Sequence, residues 1–93
     1  MKAKAKGTRA EHRVMKLLEL TGYECARAAG SFGVFDVFGF NENEVLLVQV
    51  KVNRSVSPAE REQMRLFRAP RNARKLVYVF TDRLRQPKVE EIR

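Results

Sequence analysis

The sequence predicts an α/β fold in which helices cover a central sheet, with elements in the order α-β-β-β-α-β. Three observations carry this reading. Apolar residues recur at helical spacing near the N-terminus, two Val- and Phe-rich segments flank a short polar turn, and a second helix with a clear start precedes another apolar strand. In 93 residues this makes one compact domain with a modest core, since small domains bury a smaller share of their surface. With 44% hydrophobic and 32% charged residues, the chain has a globular balance rather than a disordered one.

The first helix is expected from Thr8 to Thr21, with Ala10, Val14, Leu17 and Leu18 on one face. Thr8 offers an N-cap oxygen, Glu11 fits a capping box with it, and Gly22 suits the C-terminal stop. Upstream, residues 1–6 alternate Lys with Ala and have nothing apolar to bury, so they read as a mobile basic arm. Tyr23 to Ala28 lies between Gly22 and Gly30 and reads as a strand, and Ala29 to Gly33 as a small-residue loop. Val34 to Phe40 and Val45 to Val52 flank Asn41-Glu42-Asn43-Glu44, which signals a hairpin. Both strands are apolar on both faces for part of their length, as a helix-covered sheet requires. Ser57-Pro58-Ala59-Glu60 combines an N-cap Ser, an early Pro and a Glu three residues after the cap, so a helix should run from Pro58 to about Arg68. Pro70 stops it, and Lys75 to Thr81 forms a buried strand. The last dozen residues carry too little pattern to assign an element, and no internal repeat is evident.

Nineteen Lys and Arg against eleven Asp and Glu give a net charge of +8, which points to a polyanionic partner and above all to nucleic acid. Apolar stretches such as Val45 to Val48 are far too short to span a bilayer, and the basic N-terminus has no apolar signal core after it, so a cytoplasmic protein without a membrane partner is expected. Cys25 is the only cysteine, which leaves no internal disulfide and no Cys-based zinc cluster; a reduced thiol packed in a strand is the expected reading.

The hairpin brings polar groups together. An even-length turn pairs residues whose numbers sum to 85, so Asp36 faces Gln49 across the two strands and Lys51 lies diagonally on the same face. An odd-length turn would send Asp36 to the other face. A charge amid Val-Phe-Asp-Val-Phe and Val-Gln-Val-Lys-Val needs a partner or a metal. A structural Asp36–Lys51 ion pair with Gln49 filling a hydrogen bond is one account, and a catalytic site is the other.

Glu11, His12, Arg13, the Gly30-Ser31 loop, Asp36 and the Gln49-Val50-Lys51 strand together resemble the PD-(D/E)xK nuclease superfamily, and their order and spacing from about Lys6 to Thr81 are similar to its archaeal-type Holliday junction resolvases. The resemblance implies a restriction-endonuclease-like core, with a mixed central sheet flanked by helices. It also implies Mg²⁺-dependent hydrolysis of branched DNA, with Mn²⁺ able to substitute, by a homodimer without a small-molecule cofactor. Carried over by position, the active site becomes Glu11, Ser31, Asp36, Gln49 and Lys51. Asp36, Gln49, the Val50 carbonyl and Glu11 would hold the metal, Lys51 would orient the attacking water, and Ser31 would bind the scissile phosphate. Phe35 stands where the motif's name has Pro. Gln49 stands where most relatives carry Glu, and its neutral carbonyl should hold a hard cation more weakly. Other DNA endonucleases of the superfamily, and a catalytically silent nucleic-acid-binding module, are the alternatives.

Lys4, Lys6, Arg9, Arg27, Arg54, Arg71 and Arg74 are the basic candidates for phosphate contacts, beside Ser31, although a solvated basic face explains any one of them. His12 follows Glu11 by one residue, about 100° around the helix, and reads as surface or DNA backbone contact rather than a metal ligand. Met64 and Phe67, three apart on the second helix, fit the core; the resemblance implies a dimer contact instead.

Overall fold

The computed structural model describes the backbone of residues 2–28, 34–83 and 85–93, with side chains from residue 7 onward within those ranges. Helix α1 (Lys2–Leu20) leads into strand β1 (Glu24–Arg27), β2 (Val37–Phe40) and β3 (Val45–Val52). Helix α2 (Pro58–Leu66), β4 (Ala73–Phe80) and β5 (Lys88–Ile92) complete the chain. The five strands form one sheet in chain order. Every neighbouring pair is antiparallel except β3–β4, which is parallel and has α2 as its crossover.

The sheet buries both faces. On one, Ala10, Val14 and Leu18 of α1 pack against Val37, Leu46, Val48, Leu76 and Phe80. On the other, Met64 of α2 packs with Phe35, Leu47, Val77 and Ile92. Val14, Val37, Val48 and Val77 are fully buried, and burial of each contributes about 1.5–3 kcal/mol. At Gly39 a Cβ would meet Leu18 Cδ1 at 3.1 Å, so the missing side chain is what lets α1 lie close on β2.

Several boundaries differ from the sequence reading, and β2 begins at Val37 rather than Val34. Helix α1 starts at Lys2 rather than Thr8, because Ala and Lys are strong helix formers and extend a helix already held by Ala10, Val14 and Leu18. Thr8 and Glu11 are therefore interior positions, and no capping box forms there. The other end is as expected: Gly22 takes φ 94° while its N–H donates to the Glu19 carbonyl and that of Tyr23 to Leu18, both at 3.1 Å. Helix α2 opens with the expected capping box at Ser57 and Glu60 but ends at Leu66, because Phe67 turns extended and sets its ring edge-on to Phe35 with centroids 5.0 Å apart. Strand β4 begins two residues early, at Ala73.

Strand β5 has no counterpart in the sequence reading. Of its five residues only Ile92 is buried, and Glu90 and Glu91 instead form ion pairs with Arg61 and Arg74. An edge strand pinned by charge leaves no apolar alternation to detect. Among the described residues, no helix is long and apolar enough to cross a membrane.

Candidate active site

The turn sets the site. Asn41 Oδ1 accepts the N–H groups of Asn43 and Glu44 at 2.8 and 2.9 Å, and the Asn41 N–H donates to the Glu44 carbonyl at 3.1 Å. This closes a four-residue turn, and the strands pair in the sum-of-85 register, from Phe40↔Val45 to Val37↔Val48. There the ladder stops, one pair short of the expected Asp36–Gln49 partnership. Phe35 and Val37 belong to opposite faces of the sheet although they are two residues apart, so strand alternation breaks between them, as at a bulge. Asp36 sits at the break. Its N–H donates to the Val48 carbonyl and its Oδ2 accepts the Val50 N–H, both at 2.8 Å. The carboxylate has taken over an edge amide of β3 that β2 no longer reaches.

The Asp36–Lys51 ion pair considered as an alternative is not what binds Lys51. Its ammonium lies 2.5 Å from Glu60 Oε2, and the side chain is only 7% exposed. Burial pushes the Asp36 carboxyl above its usual range, the Val50 hydrogen bond opposes this, and the nearby Glu11 charge adds to it. Glu11 reaches in from α1 and is itself bound by Arg27 Nε at 2.9 Å. Gly7, Glu11, Asp36, Gln49, Val50, Lys51, Val52, Asn53 and Arg54 line one open cleft of about 350 Å³.

A family model for archaeal Holliday junction resolvases (hjc) matches residues 2–67. The chain belongs to this family. Among solved structures it is similar to the Archaeoglobus fulgidus Holliday junction resolvase Hjc, from an archaeal hyperthermophile, with a TM-score of 0.78. The two are 26% identical over 94% of this chain and 73% of that one. No curated protein matches. The five-stranded mixed sheet is thus the restriction-endonuclease-like core, and the resolvase chain is a DNA-binding endonuclease of recombination and repair.

The donor set of this resolvase suits a hard divalent cation. Gln49 Oε1 is buried without a hydrogen-bond partner among the described residues, although a buried amide oxygen ordinarily has one. Beside it stand the carboxylates of Asp36 and Glu11, and all these donors are oxygens. Among the described residues no three His, Cys, Asp or Glu gather as a metal cluster; the third side-chain oxygen beside Asp36 and Glu11 is the Gln49 amide.

The remaining predicted residues divide by position. Ser31 lies outside the described residues, and Lys4 and Lys6 belong to α1 by backbone alone. Arg54 lines the cleft; exposed Arg9 lines an adjoining one with Arg13, Val52, Phe80, Thr81 and Asp82, and Val52 is a wall of both. Arg71 and Arg74 are not brought to the site. Arg74, near the start of β4, is five pairs from Lys51↔Val79 and roughly 17 Å along the strand, and Arg71 precedes the strand. The Arg74 guanidinium is also taken up there by Glu91 at 3.1 Å and Glu44 at 3.5 Å, which removes it from the cleft's phosphate contacts. His12 is exposed, Met64 is core, and half-buried Cys25 in β1 has its thiol pushed up by burial. Glu60 was missed by sequence reasoning. Its helix-capping role accounted for it fully, and nothing in Ser57-Pro58-Ala59-Glu60 shows that the same carboxylate reaches Lys51.

Proposed function

We propose that this resolvase acts as a homodimer that cuts four-way DNA junctions by Mg²⁺-dependent hydrolysis, nicking two opposing strands symmetrically near the branch point. The observation that carries the chemistry is the convergence on one cleft of Asp36, Glu11, Lys51 and a buried Gln49 Oε1 that has no partner among the described residues. Asp36, Gln49, the Val50 carbonyl and Glu11 would hold the cation. When bound, it neutralises phosphate charge and activates water for attack on phosphorus. Lys51 stabilises charge on the phosphate and orients the attacking water, with Ser31 as a hydrogen-bond donor to the scissile phosphate. Arg9, Arg54, Lys4 and Lys6 bind the DNA backbone, which positions the duplex without reading its sequence. Arg27 contributes by holding Glu11.

Size supports the dimer. One copy of the chain carries a single Asp36, Gln49 and Lys51, while a junction offers two symmetry-related scissile strands, and a two-fold dimer presents two equivalent sites to them. A cytoplasmic location follows from the DNA substrate. The decisive experiment incubates a four-way junction and a linear duplex of equal length with and without Mg²⁺, with light scattering on the free protein. Paired nicks confined to the junction and to Mg²⁺, from a dimer, are expected. Equal cutting of duplex, no cutting with Mg²⁺, or a monomer bound to the junction would overturn the proposal.

A further inference from the structure

Lys51 is a buried charge whose position depends on its partner. An ammonium withdrawn from water is costly unless a counter-charge meets it with good geometry. Glu60 meets it at 2.5 Å, and Glu60 is itself fixed at the first turn of α2. Its Oε1 accepts the Ser57 N–H at 2.9 Å, its Oε2 accepts from Lys51, and its own N–H donates to Ser57 Oγ at 3.1 Å. The two carboxylate oxygens therefore do different work, one closing a helix cap and the other holding the ammonium. An ammonium has three N–H donors, so one spent on Glu60 leaves two for groups in the cleft that Lys51 lines.

We propose that Glu60 is a positioning residue for DNA cleavage, locking the Lys51 ammonium at the edge of the Asp36–Gln49 cleft so that its remaining donors meet the scissile phosphate. The proposal rests on the reading of Lys51 as catalytic. Capping alone does not require a carboxylate here, since Gln serves the box as well as Glu does. What Glu adds is charge directed at Lys51. The Lys51 hydrogen bond is the first cause, ahead of the Ser57 N–H, of a Glu60 carboxyl held down to about 2, so this group stays ionised at any working pH.

Glu60→Gln separates the two tasks: it keeps the cap acceptor and loses the charge. The full-length variant is assayed well below its thermal midpoint, with cleavage measured at saturating protein and junction affinity measured separately in EDTA. The cleavage rate should fall about tenfold or more while affinity stays within about twofold, since a group acting on the chemical step changes kcat rather than binding. Ser57→Ala is the companion variant; it weakens the cap and lowers the thermal midpoint but should leave the cleavage rate of the folded protein near wild type. Wild-type cleavage by Glu60→Gln, with Asp36→Asn and Lys51→Ala inactive, overturns the inference and leaves the active-site reading standing. An equal loss of cleavage in Ser57→Ala also overturns it, because the effect would then belong to the helix. Cleavage by Lys51→Ala at wild-type rate overturns the active-site reading itself.

Discussion

At the turn end of the sheet, where Asn41 to Glu44 join β2 to β3, polar groups are consumed by partners; at the cleft end, beyond Val48, two buried polar atoms have none among the described residues. Glu44 accepts from the Tyr23 hydroxyl and pairs with Arg74, which also binds Glu91, and Asn41 takes two backbone N–H groups. Gln49 Oε1 in the cleft and Thr81 Oγ1 in the adjoining one are buried with no hydrogen-bond partner among the described residues, and burial disfavours the Asp36 charge. One end of a strand pair is thus fully paired, and the other keeps buried polar atoms without partners among the described residues. A small domain with a modest core tolerates such a deficit only because the rest of the sheet is well paired.

Exchanging the groups tests this contrast. The largest effect is expected at Asp36. Asp36→Asn should lower cleavage by about 10³-fold, several kcal/mol of lost transition-state stabilisation at ~1.4 kcal/mol per tenfold, with junction binding retained. Its sign on stability is the reverse. A carboxyl whose folded pKa is raised makes its ionised form unfavourable in the fold, so the neutral amide should raise the metal-free thermal midpoint at neutral pH. A lower midpoint in EDTA would show that the cleft end carries no such deficit.

Gln49→Glu should reduce the Mg²⁺ concentration for half-maximal cleavage several-fold, because it restores an anionic ligand. The same change adds a third carboxylate beside Asp36 and Glu11 and should lower the metal-free midpoint. An unchanged Mg²⁺ requirement would remove Gln49 from the metal's ligands. Acid titration addresses Glu60. Its folded value of about 2 lies below the ordinary 4.5, so its pairing stabilises the fold fully above pH 4.5 and is lost as pH falls toward 2. The stability gap between wild type and Glu60→Gln should therefore close across that window, as followed by urea melts. The smallest effect belongs to the turn end: Arg74→Ala should cost no more than about 1 kcal/mol, since exposed ion pairs contribute little, and should leave cleavage unchanged.

How much could be read in advance follows the same division. The hairpin was legible because β-branched strands and a four-residue polar turn fix register locally, and with it came Asp36, Gln49 and Lys51. The break at Asp36 was not, because it arises when the side chain captures the Val50 N–H, a tertiary choice among acceptors. Strand β5 was hidden by Glu90 and Glu91, whose partners Arg61 and Arg74 lie elsewhere in the chain. The start of α1 was misplaced because alternating Lys and Ala carry helix propensity without an amphipathic signature. Glu60 escaped because a local motif explained it completely.

The hairpin also bears on the order in which the molecule assembles. Joining β2 to β3 closes only the turn 41–44, whereas joining β3 to β4 must close the whole segment 53–72, and loop closure grows more costly with length. The shortest-range pairing in the sheet is therefore the one that brings Asp36 beside Gln49, while Glu60 reaches Lys51 only with the long-range crossover. The Asp36 and Gln49 oxygens gather in the local step, and the Lys51 ammonium is secured in the non-local one.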